Sequence, residues 1–309
     1  MKLVHNFLYF ICYFYFSMTI YSLYVSGDQI PYANFFNSLD GASLSEALLL
    51  QVTFLSAGEP FSALIIWFGA NLGMSQNVFF SLLNSFLFIL ILHWLNINRV
   101  SFLSTFLILF GYYVFVLMFS AERLKFAVIF LLLGIIVNNR SSILFLIISL
   151  LNHFSIILLI PSMVLTKFYS KNIQYFLNIK YFVYFFISII LFFVFWPIFN
   201  LNVLNKISDT NTSENIFDFF SFSIMFFSLV TSNKSLNYQF YISMLPFIFF
   251  IYLMGPTRVN MLCYMFYLWY FVHNNLTNNL IFKGILIYNF LKSFYFLFNV
   301  YKFGTGFVI

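Results

Sequence analysis

Residues 142–160 read SILFLIISLLNHFSIILLI. A strand crossing a bilayer within a barrel alternates polar and apolar residues over about ten positions. This run does not alternate. It is apolar all round except for Ser142 at its start and Ser149, Asn152, His153 and Ser155, and it is close to the 20 or so residues a membrane helix needs. Its reading is therefore helix in lipid. The same pattern recurs at 4–25, 60–72, 78–95, 100–119, 124–137, 143–165, 181–201, 216–230, 240–254, 259–272 and 280–301. Together these runs predict an all-α fold, a polytopic transmembrane helix bundle of about ten or eleven membrane segments. The short run 60–72 leaves room for a re-entrant half-helix.

Composition agrees. The chain has 309 residues, 63% hydrophobic and only 7% charged, where soluble domains carry about 25% charged residues. Too few polar side chains are present to cover a water-facing surface, which excludes a soluble enzyme and a nucleic-acid-binding module. The net charge of +6 comes from Lys and Arg scattered singly between apolar runs, so it orients the chain rather than marking a nucleic-acid partner. Cys12 and Cys263 both lie inside apolar runs and read as buried thiols. No small-residue cleavage site follows the first run, which is expected to be a retained span. One integral membrane domain is expected over 1–309, with an acidic external loop at 26–59 and a polar loop at 202–215.

Ionisable side chains cost about 2.5–3.5 kcal/mol each in a membrane helix on insertion scales, so each asks for a reason. Glu59 precedes Pro60, which suits the first helical position. It either caps free backbone amides or serves as a carboxylate that takes a proton or binds a sugar hydroxyl. Glu122 and Lys125 are spaced to pair on one helix face, while Arg123 points elsewhere. A guanidinium at a helix start is unfavourable beside the dipole unless an anion binds there. Arg258 follows Gly255-Pro256-Thr257 and repeats that arrangement. His153 adjoins Asn152 and lies four residues after Ser149. It is either hydrogen-bonded between packed helices or a proton carrier. No His or Cys lies at metal-ligand spacing from it, and no metal or cofactor is expected. Gly69 and Gly73 match a small-xxx-small pattern that helix packing explains.

At these residues the chain resembles the O-antigen polymerases, the Wzy-type enzymes and their exopolysaccharide relatives. The string Gly58-Glu59-Pro60-Phe61, with Trp67 and Asn71-Leu72-Gly73, looks like that family's EPxF…W…LG signature. Arg123, Lys125 and Ala127 followed by Asn152-His153-Phe154-Ser155 look like its arginine and histidine motifs, and Arg258-Val259-Asn260 is similar to its late arginine. The resemblance implies a multi-pass glycosyltransferase of the bacterial inner membrane with its active site facing the periplasm. It would take undecaprenyl-diphosphate-linked oligosaccharides and work among membrane lipids beside a flippase and a chain-length regulator. Glu59, His153 and Arg123 would carry the catalysis. Arg123, Arg258 and Lys125 would hold the diphosphate, and Asp40, Glu122 and Asn152 stand as secondary candidates. A clamp of Arg123 and Arg258 needs an even number of crossings between them. Five apolar runs intervene, so at least one should not span fully; 216–230, which is short and has Asp218 near its start, is the best suspect. Other classes fit the composition: a flippase for lipid-linked oligosaccharide, or an acyltransferase acting on surface glycan.

Overall fold

The structure is a computed structural model that describes residues 2–137, 141–159, 162–163, 221–228, 244, 247 and 256–307. Every regular element among them is helical, as the apolar runs require. In chain order these are α1 (Lys2–Leu23), α2 (Gln29–Asn37), α3 (Leu44–Leu55), α4 (Pro60–Asn71), α5 (Gln76–Ile97), α6 (Phe102–Leu109), α7 (Tyr112–Phe119), α8 (Glu122–Val137) and α9 (Ser142–Asn152). A 3-10 turn (Phe154–Leu158), α10 (Pro256–His273) and α11 (Leu280–Phe303) follow, and residues 221–228 are helical as well. The expected run at 181–201, most of 216–230 and 240–254 and the loop 202–215 lie outside the described residues.

Among the described residues, two helices, α5 and α11, are long and apolar enough to cross a membrane. The number rises to four if the bent pairs α3–α4 (107°) and α6–α7 (44°) each form one span. The first bend answers the shortness of 60–72: α4 alone covers only part of a bilayer, and a sharp corner joins it to α3. The second divides the run 100–119 at Phe110-Gly111, where Gly111 takes an extended backbone (ψ 152°) before α7 begins.

The segment 26–59, expected as a loop, carries α2 and α3. The start of α3 is written locally. The Ser43 hydroxyl accepts from the Glu46 amide at 3.4 Å, and the Glu46 carboxylate accepts from the Ser43 amide at 2.7 Å. This reciprocal box satisfies donors that a helix start leaves open. Polar side chains in this segment turn inward: Gln29 and Gln51 are buried.

The chain divides into two compact units, residues Met1–Phe154 with Leu286–Ile309, and Ser155–Ile285. In the first, α1 packs along α5 and α8 along α9, while α5 also meets α8 and α4 meets α9. Aromatic rings fill the core: Tyr13 stacks on Phe88 at 4.2 Å, and Phe119 meets Tyr21 edge-on at 5.6 Å. Close approach of α4 to α5 depends on Gly69, where a Cβ would lie 2.4 Å from the Phe79 ring. In the second unit, Phe282 stacks on Phe271 at 4.7 Å and Tyr267 meets Ser228 at 2.8 Å.

Candidate functional site

The corner between α3 and α4 positions Glu59. Ser56 closes α3 in the left-handed region (φ 47°), and Glu59 is extended (φ −81°, ψ 108°) ahead of Pro60. Its carboxylate makes no cap bond to the α4 amides, so of the two roles the sequence allows it, capping is not the one adopted. A buried relay holds the corner instead. Gln51 Nε2 donates to Ser62 Oγ at 2.6 Å, and the Ser62 hydroxyl donates to the Glu59 carbonyl at 2.9 Å.

The freed carboxylate meets two cationic groups from distant parts of the chain. Arg123 Nη1 donates to Glu59 Oε2 at 2.5 Å, and Arg123 Nε donates to the Tyr32 hydroxyl at 3.4 Å. His153 Nδ1 lies 3.3 Å from Glu59 Oε1, an ion pair whenever the ring is protonated. The three side chains are not sealed. Glu59 is 7% exposed, Arg123 14% and His153 27%. Glu59 uses one oxygen for each cation, and the second terminal nitrogen of Arg123 has no protein partner among the described residues. The arrangement is a partly exposed polar group in which a guanidinium and an imidazole each meet one carboxylate. Such a set can bind an anion at the guanidinium and move a proton at the carboxylate or the ring.

His153 reaches this place because α9 stops early. The run 143–165 reads as one helix, yet α9 ends at Asn152 and His153 is extended (φ −157°, ψ 114°). Ser149 and His153, expected on one face, therefore part. The Ser149 hydroxyl donates to the Ala127 carbonyl at 2.7 Å and ties α9 to α8. Asn152 is fully buried and bonds back to the Ile148 carbonyl at 2.8 Å.

Lys125, expected beside Arg123 at the anion, faces the other way. It is fully buried and ion-paired with Glu122, as their spacing suggests. Its ammonium also donates to Asn84 Oδ1 at 2.7 Å and to the Tyr21 hydroxyl and the Met118 carbonyl, each at 3.1 Å. Glu122 accepts from Tyr21 at 2.6 Å and from Gln29 at 3.0 Å. Both charges are satisfied inside the helices, so neither is available to a ligand. Asp40 is exposed in the turn between α2 and α3 and does not join Glu59. Arg258 lies in the first turn of α10, as its Pro256 neighbour predicts, while its side chain lies outside the described residues. Among those residues no group of three or more His, Cys, Asp or Glu could hold a metal ion.

Tyr32, Gln51 and Ser62 support the site without having been singled out in the sequence. The signal available was the Ser43-Leu44-Ser45-Glu46 box, a helix start that predicts order in the segment before Glu59. Compared with known proteins, the chain matches no family model, no curated protein and no solved structure.

Proposed function

We propose that the protein polymerises lipid-linked oligosaccharide repeat units, transferring the growing chain from undecaprenyl diphosphate to the next lipid-linked unit. The observation that carries this reading is the meeting of Glu59, Arg123 and His153, which stand far apart in the sequence, at the ends of three different helices. In the reaction, the acceptor sugar hydroxyl attacks the anomeric carbon. The bond from that carbon to the diphosphate oxygen breaks, and the hydroxyl proton passes to Glu59 or His153. The departing diphosphate gathers negative charge, and a guanidinium in a partly desolvated pocket stabilises it far better than water does. Arg123 suits that role because its planar fork matches phosphate oxygens.

The rest of the reading follows from it. The chain is a bundle of ten or eleven membrane segments in the bacterial inner membrane, with the Glu59 pocket open to the periplasm. Arg258 is a further candidate for binding phosphate, and the polyprenyl tails run between helices. A flippase and a chain-length regulator act beside it.

Glycan length in cells tests this reading. Arg123→Lys preserves the charge opposite Glu59, so protein level should hold while the bidentate grip and the long chains are lost. Glu59→Gln and Arg258→Ala should also abolish long chains without lowering protein level. Normal chain length in all three variants would overturn the assignment.

A further inference from the structure

The pair Glu122 and Lys125 brackets Arg123 in sequence but not in space. Successive helical residues are turned by about 100°, so residues 122 and 125 share a face and residue 123 does not. Both charges are fully buried. A buried ion pair is weak support for stability, because desolvation offsets most of the attraction. A chain with so few charges has nonetheless placed two of them there. What this pair is suited to supply is direction. Tyr21 from α1, Gln29 from α2 and Asn84 from α5 all bond to it, and the Met118 carbonyl at the end of α7 accepts from Lys125. Four elements thereby fix the rotation of the first turn of α8.

We infer that Glu122 and Lys125 are positioning residues: their pairing with Tyr21, Gln29 and Asn84 sets the rotation of α8 so that Arg123 faces Glu59 and Tyr32. The alternative rotations of α8 would bury a carboxylate or an ammonium without partners, so they are disfavoured even though the rest of the helix is apolar. This inference rests on the proposed function only in treating Arg123 as a site residue; the geometry it describes stands apart from any activity.

The test separates the two. Glu59→Cys and Arg123→Cys are introduced in a chain carrying Cys12→Ser and Cys263→Ser, and a short bis-maleimide reports how often positions 59 and 123 meet in membranes. The double variant Glu122→Gln/Lys125→Met removes both charges while keeping volume. Cross-linking should fall about tenfold, as when one held orientation becomes a minor state, with protein level unchanged. Tyr21→Phe, which deletes one hydroxyl from the network, should give a smaller fall and serves if the double variant does not accumulate. Unchanged cross-linking overturns the inference. In parallel, Glu122→Gln/Lys125→Met with native residues at 59 and 123 should shorten the surface glycan. Reduced cross-linking with full-length glycan upholds the positioning role and overturns the use of Arg123 by the polymerase.

Discussion

Arg123 and Lys125 are two residues apart, and their surroundings give them opposite tasks. Arg123 keeps a partly exposed guanidinium against Glu59, whereas Lys125 is enclosed and donates to Tyr21, Asn84 and the Met118 carbonyl. The cost of disturbing each differs accordingly. Lys125→Met leaves the Glu122 carboxylate buried beside Tyr21 and Gln29 with no cation, a change of the kind that costs about 3–5 kcal/mol. Thermal unfolding in detergent should show a large loss for this variant and a much smaller one for Glu122→Gln/Lys125→Met, because the second change removes the stranded charge. Equal losses would mean that the ammonium's bonds to Tyr21, Asn84 and Met118, not the stranded carboxylate, are what matters. The sequence already set Glu59, Arg123 and His153 apart, since an ionisable group in an apolar run demands a reason. It could not tell which of Arg123 and Lys125 faces the pocket, because that depends on Tyr21, Gln29 and Asn84, which carry no local mark of their role.

Helix ends and corners, not helix middles, hold the candidate site. Glu59 sits at the corner of α3 and α4, Arg123 in the first turn of α8, and His153 just past α9. Apolar runs reveal helix middles well, so α1, α5, α8 and α11 were legible from hydropathy. Hydropathy is silent about corners. It merged α6 with α7, and it passed over α2, which is short and only weakly apolar, and α3, whose twelve residues fall short of a full span. Two changes test the elements that frame the pocket. Gly69→Leu would drive a side chain into the Phe79 ring and push α4 from α5, a strain of about 1–3 kcal/mol. Protein level should drop, and Phe79→Ala should restore part of it; no recovery would place the damage elsewhere. Ser43→Ala removes one half of the box that starts α3 and should cost about 1 kcal/mol. The loss should appear as a small shift in thermal midpoint with glycan length intact, because Glu59 is held by Gln51 and Ser62 rather than by Ser43.

At the scale of the molecule, the functional classes divide on where the substrate's bond is broken. A flippase must carry a lipid-linked oligosaccharide across the membrane unchanged, which needs a path between helices and no proton acceptor beside the phosphate. An acyltransferase would modify a finished glycan and has no use for a diphosphate site. A polymerase needs an anion-holding cation and a base in contact at one point, and the Glu59–Arg123–His153 group has that character. Charge-lined pockets alone do not separate these activities, since a flippase also binds diphosphate. The products do. In a strain lacking the protein, loss of a polymerase leaves the surface glycan capped with single repeat units, because export continues and only elongation stops. Loss of a flippase leaves none, and loss of an acyltransferase leaves chains of full length. The expected ladder on a gel is one rung above the core. If Arg123→Lys reproduces that single rung at normal protein level, elongation depends on the guanidinium fork itself and not merely on a folded bundle.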